Sequence, residues 1–151
     1  MESIVQAKRV LEIFKEMSQI PRESGNEKGI SDYIVNFAKN LGLEVHQDDQ
    51  YNVVIKKPAS PGYENRPSII LQGHIDMVCV RDHDSNHDFT KDPIANIIEG
   101  EWMHADHTTL GADNGMGGAM MLAILEDDSQ QHGPMQLLFT TNEETGMDGA
   151  F

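Results

Sequence analysis

The chain has 151 residues, enough for one domain of ordinary size with a real core. Its 11 Lys and Arg against 25 Asp and Glu leave a formal charge of −14, which argues against nucleic acid and anionic membrane as partners. Cys79 is the single cysteine, so an internal disulfide is excluded and a reducing, cytoplasmic setting is expected.

The N-terminus, Met1-Glu2-Ser3, lacks the basic region and apolar run of a signal peptide. No apolar stretch approaches the roughly 20 residues of a membrane span. Ser3 with Gln6 is a capping-box start, and Val10, Phe14 and Met17, widened by Leu11 and Ile13, predict one apolar helix face ending before Pro21. Arg22 to Gly25 reads as a loop. Ile30, Tyr33, Ile34, Phe37 and Leu41 predict a second helix from near Asn26, stopped by Gly42. Leu43 to His46 and Tyr51 to Ile55 read as strands around an acidic turn at Asp48-Asp49, and Lys57 to Pro67 as a surface connection.

Ser68 to Leu71 is a short, mostly apolar run, the pattern of a strand covered on both faces. His74 and Asp76 follow it two residues apart, so in extended chain they emerge on one side of the strand's C-terminal end. That end is where open α/β sheets bind ligands. Asp82-His-Asp84-Ser-Asn86 opens like a calcium loop, but His87 and Pro93 stand where glycine and glutamate are required. His83 and His87 read as loop residues, and Cys79 as a small buried hydrophobe. Ala95 to Ile98 and Glu101 to Ala105 predict a strand pair turning at Glu99-Gly100.

Thr108 to Gly118 is a glycine-rich entry to an apolar helix, Ala119 to Leu125, expected to be buried nearly all round. Its spacing is that of neither a dinucleotide fingerprint nor a phosphate loop. Small residues flank Asp113, whose two oxygens could bridge two cations; an aspartate capping the following helix explains the residue equally well. Met135 to Thr140 predicts another buried strand, delivering Glu143 and Glu144 at its C-terminal end. Adjacent carboxylates there repel unless a cation separates their tasks, one ligating and one accepting a proton. The joint arrival of His74 with Asp76, Asp113, and Glu143 with Glu144 at three strand ends is the strongest functional signal.

Gly73-His-Ile-Asp-Met-Val78, His87-Asp-Phe-Thr-Lys-Asp-Pro93, Thr108-Thr-Leu-Gly-Ala-Asp-Asn-Gly115 and Asn142-Glu-Glu-Thr-Gly146 resemble the cocatalytic zinc peptidase family that includes aminoacylases, carboxypeptidases and carnosinases. Within it the closer match is to dipeptidases acting on Xaa-His dipeptides, and the likeness runs essentially end to end. The resemblance implies a three-layer α/β/α zinc-exopeptidase-like domain over residues 1–151, incomplete at its C-terminus and without a lid domain. It implies two zinc ions (Co or Mn as substitutes), with His74 on one, Asp113 bridging and Glu144 on the other. It makes Glu143 the general base for a metal-bound hydroxide and Asp76 the residue that tunes His74, and it places a cis peptide at Asp113-Asn114. Val80-Arg81 and His107 depart from the family pattern. Relatives continue well past Phe151, adding further Asp and His ligands and a lid that could pair subunits. The chain is therefore expected to be the N-terminal part of a longer peptidase, weakly active or inactive alone. Another di- or tripeptidase, an aminoacylase, and a non-catalytic metal-binding module stay open as alternatives.

Overall fold

The computed structural model describes the backbone of residues 2–150 and side chains from residue 6 to residue 150. In chain order come α1 (Glu2–Ser18), α2 (Lys28–Asn40), β1 (Glu44–Gln47), β2 (Val53–Lys57), β3 (Ile69–His74), β4 (Asn96–Glu99), β5 (Trp102–Ala105), α3 (Ala112–Glu126), β6 (Met135–Thr140) and a 3-10 turn (Asp148–Ala150). α1 starts one residue ahead of the predicted cap at Ser3, whose side chain lies outside the described ones. α2 ends as expected, with Gly42 in the left-handed region at φ 71°.

Four strands form one sheet in the order β1-β2-β6-β3. β3 runs parallel to β6, while the other neighbours are antiparallel. The pleat sorts the residues by face. Val53 and Ile55 on β2 lie opposite Phe139 and Leu137 on β6, and all four are buried. They pack in one core with Phe14 and Met17 of α1, Ile30 and Ile34 of α2, and Ala119 and Leu122 of α3. The alternate residues Lys56, Gln136 and Ile70 are exposed. Over the described residues the α/β arrangement is thus a helical layer on one face of a mixed sheet, with β4 and β5 as a separate hairpin.

Two local expectations change. β3 is not covered on both faces: among the described residues it is an edge strand paired only with β6, and Ile70 is 64% exposed. An apolar run signals a strand but not its place in the sheet. α3 begins seven residues before the predicted Ala119, and Met120 and Ile124 on it are exposed, so it is not buried all round. Asp113 and Asn114 in its first turn depart from helical angles, and the peptide bond between them is cis. Among the described residues no helix is long and apolar enough to cross a membrane.

A candidate metal centre at the strand ends

β3 and β6 end side by side, with His74 in register with Thr140. Their C-terminal extensions therefore leave the sheet together, one carrying Asp76 and the other Glu143 and Glu144. Asp113 is not at a strand end, as the sequence suggested, but in the first turn of α3, which packs against β3 and brings it to the same edge. His74, Asp113 and Glu144 each offer a donor atom, and these atoms lie within 4.8 Å of one another, the only such trio of His, Cys, Asp or Glu among the described residues. His74 Nε2 is 3.2 Å from Asp113 Oδ1 and 3.9 Å from Glu143 Oε2. All five residues singled out in the sequence meet here.

Asp76 is the hub. Its carboxylate is wholly buried, and Oδ1 lies 3.3 Å from His74 Nδ1. It also accepts backbone N–H bonds from Glu143 and Glu144, each at 3.1 Å, and the Ser24 hydroxyl at 2.7 Å. One side chain thus orients the imidazole and fixes the loop holding the glutamates. Burial alone would raise the Asp76 carboxyl, but the His74, Ser24 and backbone hydrogen bonds hold it well below the ordinary carboxylate range. In turn the hydrogen bond to Asp76 raises the His74 imidazole to about 9, although burial opposes it.

These residues fit a divalent cation. With Nδ1 facing Asp76, the other nitrogen of His74 faces two carboxylates, the outer support that metal-binding imidazoles ordinarily have. An imidazole with carboxylates suits zinc and its neighbours better than calcium or magnesium, which take oxygen alone. The site is open: Asp113 is 89% exposed and lines a cleft of about 370 Å³ with Val78, Thr109 and Glu144. A cavity of about 610 Å³ at the far end of α3 has no such donor trio.

Cys79 is half-buried beside Met77 and Ile94, and burial pushes its thiol up to about 11, the opposite of an activated nucleophile. His83 and His87 lie outside helix and strand, as expected. The functional segment missed in the sequence is residues 22–27. Arg22 donates to backbone carbonyls of Ile75, Asp76 and Gly111; Ser24 holds Asp76; and the buried Glu27 accepts the Asn142 N–H at 3.0 Å. Only its Pro21-Arg-Glu-Ser-Gly loop composition was readable, because each partner lies more than 50 residues away.

The pattern of "Peptidase family M20/M25/M40" matches residues 70–151. The chain is 50% identical over 140 residues to the cytosol non-specific dipeptidase of Escherichia coli, which covers 93% of this chain and 29% of that protein. The crystal structure of aminoacylhistidine dipeptidase from Vibrio alginolyticus superposes with a TM-score of 0.91 at 48% identity, over 95% of this chain and 29% of that one. A tripeptidase from Staphylococcus aureus follows at a TM-score of 0.77 and 28% identity, over 95% of this chain and 38% of that one. The chain therefore spans about a third of the length of these relatives. All five site residues fall inside the matched region, and the chain belongs to peptidase family M20/M25/M40.

Proposed function

We propose that His74, Asp113 and Glu144 hold a pair of divalent cations, zinc first among them, and that the whole protein hydrolyses dipeptides, those ending in histidine in particular. What carries this is the convergence of one imidazole and two carboxylates within 4.8 Å, with the second imidazole nitrogen set against Asp76. His74 would hold one cation and Glu144 the other, with Asp113 shared between them. When bound, such a pair acidifies a water molecule and polarises a carbonyl.

The side chains of the chain do the rest. Glu143 Oε2 stands 3.9 Å from His74 Nε2, beside the donors yet outside their trio. It takes a proton from the attacking water and returns it to the leaving amine nitrogen. Asp76 keeps the imidazole turned and the glutamate loop in place. The open side at Asp113 admits the peptide. The likeness to an aminoacylhistidine dipeptidase and to a non-specific dipeptidase supports a dipeptide substrate, and the 28% likeness to a tripeptidase marks the alternative. Turnover by the 151-residue chain alone is proposed to be poor, because its described residues offer one donor trio to two cations.

Calorimetric titration with zinc tests the centre. The chain is expected to bind zinc, and Glu144→Ala to lose at least tenfold in affinity. Absent binding, or binding that Glu144→Ala leaves unchanged, removes the metal role. A panel of Xaa-His dipeptides, other dipeptides, tripeptides and N-acyl amino acids separates the substrate classes. Turnover by the 151-residue chain equal to that of an intact relative contradicts its proposed weakness.

A further inference from the structure

Arg22 heads the fully buried side chains in volume, ahead of every aromatic and aliphatic one. A buried cation is costly unless something is gained by placing it there. Among the described residues its hydrogen-bond partners are three backbone carbonyls and no carboxylate. Nη1 donates to Ile75 at 3.2 Å and to Asp76 at 3.4 Å, and Nη2 donates to Gly111 at 2.6 Å. Ile75 follows His74 directly, and Gly111 stands two residues before Asp113. A single planar group therefore spans the two segments whose side chains meet at His74 Nε2 and Asp113 Oδ1.

The surroundings are shaped to admit it. A Cβ at Gly111 would lie 2.5 Å from Nη2, and one at Gly115 would lie 2.6 Å from it. Two of the glycines around Asp113 thus make room for the guanidinium rather than for a ligand. The backbone carbonyl of Arg22 in turn accepts the Met77 N–H at 3.1 Å, so its main chain and side chain both grip the segment after β3.

We propose that Arg22 is a positioning residue for the metal centre, its guanidinium setting the separation of the His74 and Asp113 donors. The proposal rests on the metal-binding role given to those donors above. Lysine cannot replace it, because one ammonium lacks the rigid fork that reaches carbonyls on two segments at once.

Zinc calorimetry and the visible absorption of the cobalt-loaded chain test this, with Arg22→Lys, Arg22→Met and His74→Ala compared under conditions where circular dichroism shows each folded. Both Arg22 variants are expected to lose at least tenfold in zinc affinity and to shift the cobalt bands, which report donor geometry rather than stability. Wild-type affinity and wild-type bands in a folded Arg22 variant overturn the proposal, even if that variant unfolds earlier in urea. Should Arg22→Met not fold, Arg22→Lys decides; should neither fold, Arg22 is a folding determinant and the positioning role is rejected. A chain that binds zinc no better than His74→Ala overturns the metal reading itself, a separate result from equal binding by wild type and Arg22 variants.

Discussion

One carboxylate, Asp76, sets both the charge of His74 and the place of the glutamate loop. With the protein stripped by a chelator, the pair makes stability depend on pH. The His74 pKa is raised from 6.5 to about 9, so the contribution is complete below pH 6.5 and is lost as pH climbs through 9. Urea unfolding from pH 6 to 10 should show that decline, and Asp76→Asn should flatten it. The same variant should weaken zinc binding by about 10–100-fold, the usual effect of losing the partner of a metal-bound imidazole. The His74–Asp76 pairing was legible from two-residue spacing at a strand end. The reach of Asp76 to the Glu143 and Glu144 amides was not, since those lie 67 and 68 residues on.

At the scale of elements, α3 carries Asp113 at one end and is tied to the sheet at the other. Lys57, the last residue of β2, is buried and donates to the carbonyls of Ile124, Leu125 and Asp127 at 2.9, 3.1 and 2.7 Å. These belong to the last turn of the helix and the residues around its end, where carbonyls lack partners within the helix and attract a cation. Lys57→Met should cost about 2–3 kcal/mol in urea unfolding, the scale of charge-assisted hydrogen bonds lost from buried acceptors. Zinc affinity at the opposite end of α3 should hold in the folded molecules. The sequence presented Lys57 as the start of a surface connection, because a lysine beside Pro58 looks solvated until its helix is in place. Strand β6 and the helical stripes of α1 and α2 were readable because their periods are local. The edge position of β3 was not, since strand order is decided by partners remote in sequence.

Across the described residues, one face of the sheet is lined by three helices and the other shows Ile70 beside Lys56 and Gln136. Among the described residues the β3 edge also leaves backbone groups free to pair, a recognised route to association. The charge of −14 opposes that contact and salt screens it. Light scattering should therefore detect association that grows with ionic strength. Ile70→Lys should suppress it while leaving stability within about 0.5 kcal/mol, as for an exposed position. The strand order has a further consequence for biosynthesis. β6, the last of the described strands in chain order, sits between β2 and β3. These four strands therefore cannot join into one sheet until residues 135–140 have left the ribosomal tunnel, and the imidazole of His74 meets Glu143 and Glu144 only after that.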